Sequence, residues 1–232
     1  MKNLIKKLIP NSVKKDLERH YAAMFRRKHH SRFTNVEKKH GRFTLSAQHI
    51  RNLTPLTDRF ALLDVLPKNA VVAEIGVDMG DFSEAILQHT RPQKLHLIDL
   101  WGTERYHQGK RAGVEAKFAN EIAQQRVEMN LGLSTEVVTN FPEAYFDWIY
   151  IDTDHSYKNT LNELRLYSAK VKPGGIIAGH DFVIGNWKGL VKYGVIDAVY
   201  EFCVTENWEL VYITMEHPAH PSFAIRKITT QE

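Results

Sequence analysis

Among 232 residues there is a single cysteine, Cys203. An internal disulfide framework and a cysteine-rich zinc site are therefore excluded, a reducing, cytoplasmic setting is expected, and Cys203 reads as a small buried hydrophobe. Long apolar runs are missing too. Nothing approaches the roughly 18 apolar residues of a spanning helix, and the opening MKNLIKKLIPNS breaks at Pro10 before a signal-peptide core can form. There is no internal repeat and no low-complexity tract. Acid is scarce at one end only: residues 1–43 hold 3 Asp/Glu against 13 Lys/Arg, so the overall net charge of +4 conceals about −6 in the remainder. The basicity belongs to a leader, and at 43% apolar and 25% charged the chain has the composition of one globular domain plus an appendage.

The leader, residues 1–45, predicts a basic, partly helical extension. Leu4, Ile5, Leu8 and Ile9 make a short apolar stripe, and Val13, Leu17, Tyr21, Met24 and Phe25 continue it at helical spacing with lysines and arginines opposite. Three uses stay open: peripheral association of residues 1–30 with an anionic membrane at the inner face of the cell, a docking arm or solvated helix, and nucleic-acid contact by Arg26-Arg27-Lys28-His29-His30. The aromatics are not interleaved with the basic run as a stacking platform requires, so no specific nucleic acid is expected. Self-association is left open.

From residue 46 to 232 the pattern alternates strand and helix, which predicts an α/β, doubly wound Rossmann-like sheet, mostly parallel, of seven strands. The strands are expected at Val71–Ile75, Lys94–Asp99, Thr135–Val138, Trp148–Asp152 and Gly175–Gly179, and a closing antiparallel hairpin at Glu209–Thr214 and Ser222–Ile228. Helices are expected at Asp58–Leu66, Phe82–His89, Ala112–Leu131, Lys158–Val171 and Lys188–Val204.

Ligands in such sheets bind beyond the carboxyl ends of the strands, and four of the five parallel strands end in polar residues. The first runs through Glu74-Ile75-Gly76 into Asp78-Met79-Gly80, a turn whose glycines allow positive φ and close approach of a ligand, with Asp81 or Ser83 placed to cap the helix that follows. The spacing lacks the third glycine of the dinucleotide fingerprint. Asp99 lies 23 residues after Gly76, where an acid accepts from both hydroxyls of an adenosine ribose, and NAD stays open on this ground. Trp101 either stacks on an adenine or covers the sheet edge. The loop Asp152-Thr153-Asp154-His155-Ser156-Tyr157 and the pair His180-Asp181 bring carboxylates and imidazoles to neighbouring strand ends, a set suited to Mg²⁺ or Mn²⁺ with His155 as a general base. The plainer alternative is that Asp154 or Ser156 caps the next helix and His180 is an interior histidine.

The segments AEIGVDMGDFSEAIL, LIDLWG, FDWIYIDTDHSYKNTLNEL and VKPGGIIAGHDF, in this order between about Val71 and Asp181, resemble the class I S-adenosylmethionine-dependent methyltransferases, and within them the macrocin- and mycinamicin-type sugar O-methyltransferases, with catechol and caffeoyl-CoA enzymes more distant. The resemblance implies that Gly76, Asp78 and Gly80 hold the methionine part of S-adenosylmethionine, with Glu74 beneath, that Asp99 binds the ribose, and that Asn140 lies near the adenine. It further implies that Asp152 and Asp181 are metal carboxylates and His155 the base that deprotonates a sugar or small-molecule hydroxyl. The family's third ligand is an acid or amide flanking the second carboxylate; here those positions are His180 and Phe182, so histidine replaces the acid. Acceptor specificity is expected from Gly102–Gly113 (with His107, Lys110 and Arg111), Gly185–Gly194 (with Trp187) and His217–His220. Two other readings are a Rossmann-type oxidoreductase and a non-catalytic adaptor docking through its leader.

Overall fold

Short apolar runs rich in valine and isoleucine alternate with amphipathic helices, and the chain lays them into a sheet whose two faces each gather a separate core. The computed structural model describes residues 11–37, 42–102, 108–186, 191–217 and 219–229. They divide into two units, Met1–Gly41 and Arg42–Glu232, a boundary four residues before the expected one. The first unit is represented by one long helix, α1 (Asn11–Glu37). The expected stripe at Leu4, Ile5, Leu8 and Ile9 lies outside the described residues.

The second unit runs β1 (Thr54–Leu56), α2 (Arg59–Val65), β2 (Val71–Ile75), α3 (Asp81–Thr90) and β3 (Lys94–Asp99). Then come α4 (Gln108–Lys117), α5 (Ala119–Ala123), β4 (Val127–Leu131), α6 (Ser134–Val137), β5 (Phe146–Ile151), α7 (Tyr157–Ser168) and β6 (Val171–Gly179). A two-stranded ribbon, β7 (Gly185–Asn186) and β8 (Val191–Lys192), precedes α8 (Val195–Glu206), β9 (Trp208–Thr214) and β10 (Phe223–Lys227).

Among the described residues the main sheet has eight strands, in the order β1-β9-β10-β6-β5-β2-β3-β4. Only β10 runs antiparallel, inserted between β6 and β9. The expected count of seven is corrected by β1, a three-residue strand ahead of α2 that pairs in parallel with β9. A second correction concerns the fourth strand. Val127–Leu131 pairs with β3, while Thr135–Val138, expected as a strand, forms α6 and a 3₁₀ turn. The expected long helix Ala112–Leu131 is broken at Phe118 and ends where Gln125 takes φ +59°, which frees Val127, Met129 and Leu131 for strand pairing. Val137 and Val138 bury their side chains just as well from a helical turn, so β-branching did not decide their conformation.

Strand alternation sorts the core. Ile149 and Ile151 of β5 face one cluster with Leu161, Leu164 and Phe202, whereas Trp148 and Tyr150 face the other with Leu62, Leu97 and Ile86; a register shift between Phe146 and Trp148 turns Phe146 to the first cluster as well. Burying both faces fixes the register, and that register sets the strand ends side by side. Gly76 N–H donates to Ile98 O (2.9 Å), Asp152 N–H to Ile75 O (2.8 Å) and His180 N–H to Ile151 O (3.0 Å). The strand order reverses between β2 and β5, which makes their carboxyl ends the switch point of the sheet.

Candidate active site

The turn after β2 admits no other residue at Gly76. Its φ is +90°, and a Cβ there would lie 1.9 Å from Asp152 O, on the neighbouring strand end. Gly80 (φ +72°) faces Phe118, whose Cε2 would sit 2.8 Å from an added Cβ, so α4 and the residue after it close the turn from outside. Lysines complete that strap: Lys110 pairs with Asp78, and Lys117 with Asp81 at 2.8 Å. The Gly102–Gly113 stretch, expected to select the acceptor, thus contributes at its described end to holding the glycine turn; His107 lies outside the described residues.

Asp99 organises the same turn. Its Oδ2 accepts from the backbone N–H groups of Val77 (2.8 Å) and Asp78 (3.1 Å), and its Oδ1 from Trp101 N–H (3.0 Å). A carboxylate has about four acceptor positions, so these bonds orient the group and leave it able to accept more. Trp101 is fully buried, and its Nε1 donates to Asp78 O at 3.0 Å. The indole therefore braces the turn from below and offers no face for stacking, which corrects its expected place among the ligand contacts. Ser83 is corrected likewise: it is fully buried and donates to the Glu74 carboxyl, rather than capping the helix or facing a ligand. Asn140 is not at a strand end either. It is exposed on the 3₁₀ turn after α6, while the strand end beside Asp99 is Leu131. The residues sequence reasoning missed at this edge are apolar: Met79, Leu100, Leu131 and Leu133 all expose their side chains around the ends of β2, β3 and β4.

Glu74 is buried under the turn. Burial pushes its carboxyl up to about 8; the hydrogen bond from Ser83 opposes this, and the charge of Asp152 adds to it. Arg59, at the start of α2, is the cation that Glu74, Asp152 and His180 all feel. Its guanidinium lies over the Phe82 ring, 4.8 Å from the centroid, and among the described residues it makes no hydrogen bond or ion pair of its own. No periodic signal marks it, because Asp58 caps the helix and makes the segment read as an ordinary helix start.

On the other side of Gly76 stands a cluster of two aspartates and three histidines. His155 Nδ1 lies 2.9 Å from Asp181 Oδ2 and 4.0 Å from Asp152 Oδ1. His180 Nδ1 lies 3.5 Å from Asp152 Oδ2 and 3.6 Å from Asp181 Oδ2, and His220 Nδ1 hydrogen-bonds Asp181 Oδ1. Both His155 (φ +58°) and Asp181 (φ +56°) occupy the left-handed region, a cost of the kind that gathers at functional sites. Asp154 holds the loop by accepting from Ser156 N–H (3.0 Å), and Ser156 caps α7 as the plainer alternative had it. The His155 ring rests 4.8 Å from that of Tyr193. Trp187 lies outside the described residues.

The charges in this cluster settle one another. Burial raises the Asp181 carboxyl, but the hydrogen bonds and charges of His155 and His180 outweigh it and hold the group well below the usual range. Burial lowers both imidazoles, yet their bonds to Asp181 and the nearby carboxylates lift His155 and His180 above the ordinary histidine value. Burial raises Asp152. Of the ligand trio expected from sequence, Asp152 and Asp181 converge with His155: one donor atom from each lies within 4.8 Å of the others. His180 stands beside both carboxylates, and His220 is a member that sequence reasoning assigned to an acceptor loop.

Residues 73–182 match the family model of a methyltransferase domain. The match spans β2 through β6 and includes every strand end that builds the site. The fold agrees. The O-methyltransferase TomG from Streptomyces achromogenes, solved with S-adenosylmethionine, superposes with a TM-score of 0.51 at 16% identity over 69% of this chain and 74% of that one. The Bacillus subtilis tRNA methyltransferase TrmK gives 0.53 at 16% identity over 75% and 67%. The pyocyanin biosynthetic protein PhzM gives 0.52 at 12% identity over 69% of this chain, which spans about half (51%) of PhzM. No curated protein sequence matches the chain. The unit from Arg42 onward has the fold of S-adenosylmethionine-dependent methyltransferases, and the stretch that matches the family model brings Glu74, Gly76, Asp99, Asp152, His155 and Asp181 to one sheet edge. Among the described residues no helix is long and apolar enough to cross a membrane.

Proposed function

We propose that the chain is an S-adenosylmethionine-dependent O-methyltransferase acting on a hydroxyl of a small molecule or saccharide, with His155 as the general base. The observation that carries this reading is the His155–Asp181 pair, 2.9 Å apart, at the strand end next to the glycine turn. S-adenosylmethionine supplies, when bound, an electrophilic methyl group on a cationic sulfur. The residues of this chain do the rest. Gly76 and Gly80 leave bare backbone against which the methionine end fits, Asp99 and Asp152 make the cleft attractive to a cation, and a bound cation would draw the buried Glu74 below the turn toward its ionised form. Arg59, whose guanidinium stacks on Phe82 and makes no hydrogen bond or ion pair among the described residues, suits the α-carboxylate. Asp99 faces the ribose, and Met79, Leu100, Leu131 and Leu133 suit the flat faces of an adenine.

A hydroxyl is a poor nucleophile at neutral pH, so a base must take its proton as the oxygen attacks. With Nδ1–H donating to Asp181, the lone pair of His155 sits on Nε2, and Asp181 steadies the imidazolium that results. A divalent ion at Asp152, His180 and Asp181 would stabilise the alkoxide as a Lewis acid. The Tyr193 ring, packed on His155, favours a flat or sugar-like acceptor beside the base.

Replacing the base tests the reading. His155→Ala is expected to lower turnover by about 10²–10⁴ while leaving cofactor affinity within a factor of a few. Calorimetry with S-adenosylhomocysteine, alongside product detection by mass spectrometry in extracts fed the labelled methyl donor, separates the two effects. Normal turnover at saturating cofactor would remove His155 from the role.

A further inference from the structure

Two residues that meet beside the glycine turn come from outside the stretch that matches the family model: Arg59 precedes residues 73–182 and Glu216 follows them. The first turn of a helix leaves its N–H groups without intrahelical acceptors. In α2, Asp58 accepts from Phe60 and Ala61 (2.9 Å each), but the Arg59 N–H goes to Glu216 Oε1 (2.8 Å), on a residue 157 positions away in the chain. Glu216 is held in turn. Its Oε2 accepts from the Thr214 hydroxyl, Thr214 Oγ1 accepts from Ser222 N–H (2.7 Å), and the Ser222 hydroxyl pairs with that of Tyr150 (2.8 Å). Thr214, Ser222 and Tyr150 are fully buried. The Tyr150 ring packs on Phe82 at 4.4 Å between centroids, and Phe82 carries the Arg59 guanidinium. The contacts thus close into a ring, with the backbone of Arg59 seated on Glu216, its guanidinium seated on Phe82, and both seats fixed from one buried core. The charge so held is felt by Glu74, Asp152 and His180, which places it at the cleft.

We infer that Glu216 is a positioning residue for the cofactor: by holding the start of α2 it aims Arg59 at the α-carboxylate of S-adenosylmethionine. This rests on the methyl-transfer reading for its ligand and adds to it a carboxylate seat framed from both sides of the family-matched stretch. The sign of the effect separates positioning from plain electrostatics. Glu216 is an acid near the seat of an anion, so its charge alone opposes a carboxylate, and removing that charge would tighten binding. Positioning requires the reverse. Once Glu216 no longer reaches the Arg59 N–H, the guanidinium loses its aim and the carboxylate is held less well.

The test compares, by calorimetry on the full chain, S-adenosylmethionine with its decarboxylated form, which lacks only the carboxylate. The unaltered chain should bind S-adenosylmethionine roughly tenfold or more tightly than the decarboxylated form, and Arg59→Ala should erase that preference. Glu216→Ala and the milder Glu216→Asp, whose carboxylate is one methylene too short for the Arg59 N–H, should each cut the preference at least roughly threefold, with the affinity for the decarboxylated form changed by less than about twofold. Glu216→Gln keeps an acceptor at the original reach and should hold the preference at or above its starting value. In the Arg59→Ala chain, Glu216→Ala should alter neither affinity, because the two residues act through one another. A preference unchanged or raised in the folded Glu216→Ala and Glu216→Asp variants, an equal loss for both ligands, or a Glu216→Gln variant as weak as Glu216→Ala would overturn the positioning role. Equal binding of the two ligands by the unaltered chain would take Arg59 off the carboxylate and remove the role with it. Binding of neither would bring down the methyl-transfer reading itself and this assignment together.

Discussion

Glu74 carries the clearest consequence of burial at a single residue. Its folded value of about 8 stands above the 4.5 of an exposed carboxyl, with burial the largest cause. The sign follows from which state holds the proton. Below pH 4.5 the group is protonated folded or unfolded, and its contribution to stability is fully present. As pH rises toward 8 the unfolded chain ionises first, so stability is lost across that window. A cationic ligand in the cleft works the other way, since it favours the carboxylate. Glu74→Gln, which imitates the protonated form and keeps an acceptor for Ser83, should therefore raise unfolding stability at pH 8 by on the order of 2–4 kcal/mol, with the gain vanishing below about pH 4.5. The same substitution should weaken S-adenosylmethionine roughly tenfold or more. Urea melts across that pH range and calorimetry check both halves. A pH-independent gain would show that Glu74 is ionised in the folded protein.

Elements differ in how plainly they speak from the sequence, and the differences have physical causes. The β2 turn was legible because glycine, acid and apolar run have one joint use, and Asp99 and Asp152 were legible because parallel strands announce their ends. Val127–Leu131 was not. Its apolar spacing fits the helical pattern preceding it, and only the left-handed Gln125 ends that helix. Trp101 and Ser83 stood at ligand-like positions but are fully buried, and burial is decided by what packs above, which local sequence does not record. Arg59 and His220 reach the site from elements far away in the chain, so no spacing rule finds them. The β2 turn also allows an internal comparison. Gly76 and Gly174 both have positive φ, +90° and +77°, but a Cβ at Gly174 meets nothing within 4 Å, whereas at Gly76 it meets Asp152 O. Gly174→Ala should cost about 1–2 kcal/mol, the left-handed penalty alone. Gly76→Ala should cost at least about 3 kcal/mol, because the β2 and β5 ends must part as well. Equal losses in urea melts would mean that the switch point yields without resistance.

At the scale of the whole molecule the chain is two electrostatic bodies, a basic leader and an acidic α/β unit. Helix α1 exposes Val13, Leu17, Tyr21 and Met24 along one side, flanked by Lys14, Lys15 and Arg19, and exposed apolar side chains beside cations are what an anionic bilayer surface accommodates. We propose that α1 lies on such a surface and brings the α/β unit, with the methyl transfer proposed for it, to acceptors held there. Each lysine near an anionic leaflet contributes about 1 kcal/mol, and the apolar stripe adds its own insertion energy, so the two contributions separate by salt. The full chain should float with phosphatidylserine-containing vesicles and not with purely zwitterionic ones, and raising salt to roughly 0.5 M should release most of it. Lys14→Glu with Lys15→Glu should lower vesicle affinity by roughly tenfold or more without changing S-adenosylhomocysteine binding, since the acids of the cleft belong to the other unit. Equal flotation with zwitterionic vesicles would assign the stripe to hydrophobic insertion alone, and the absence of flotation with either would leave the basic leader to a protein partner.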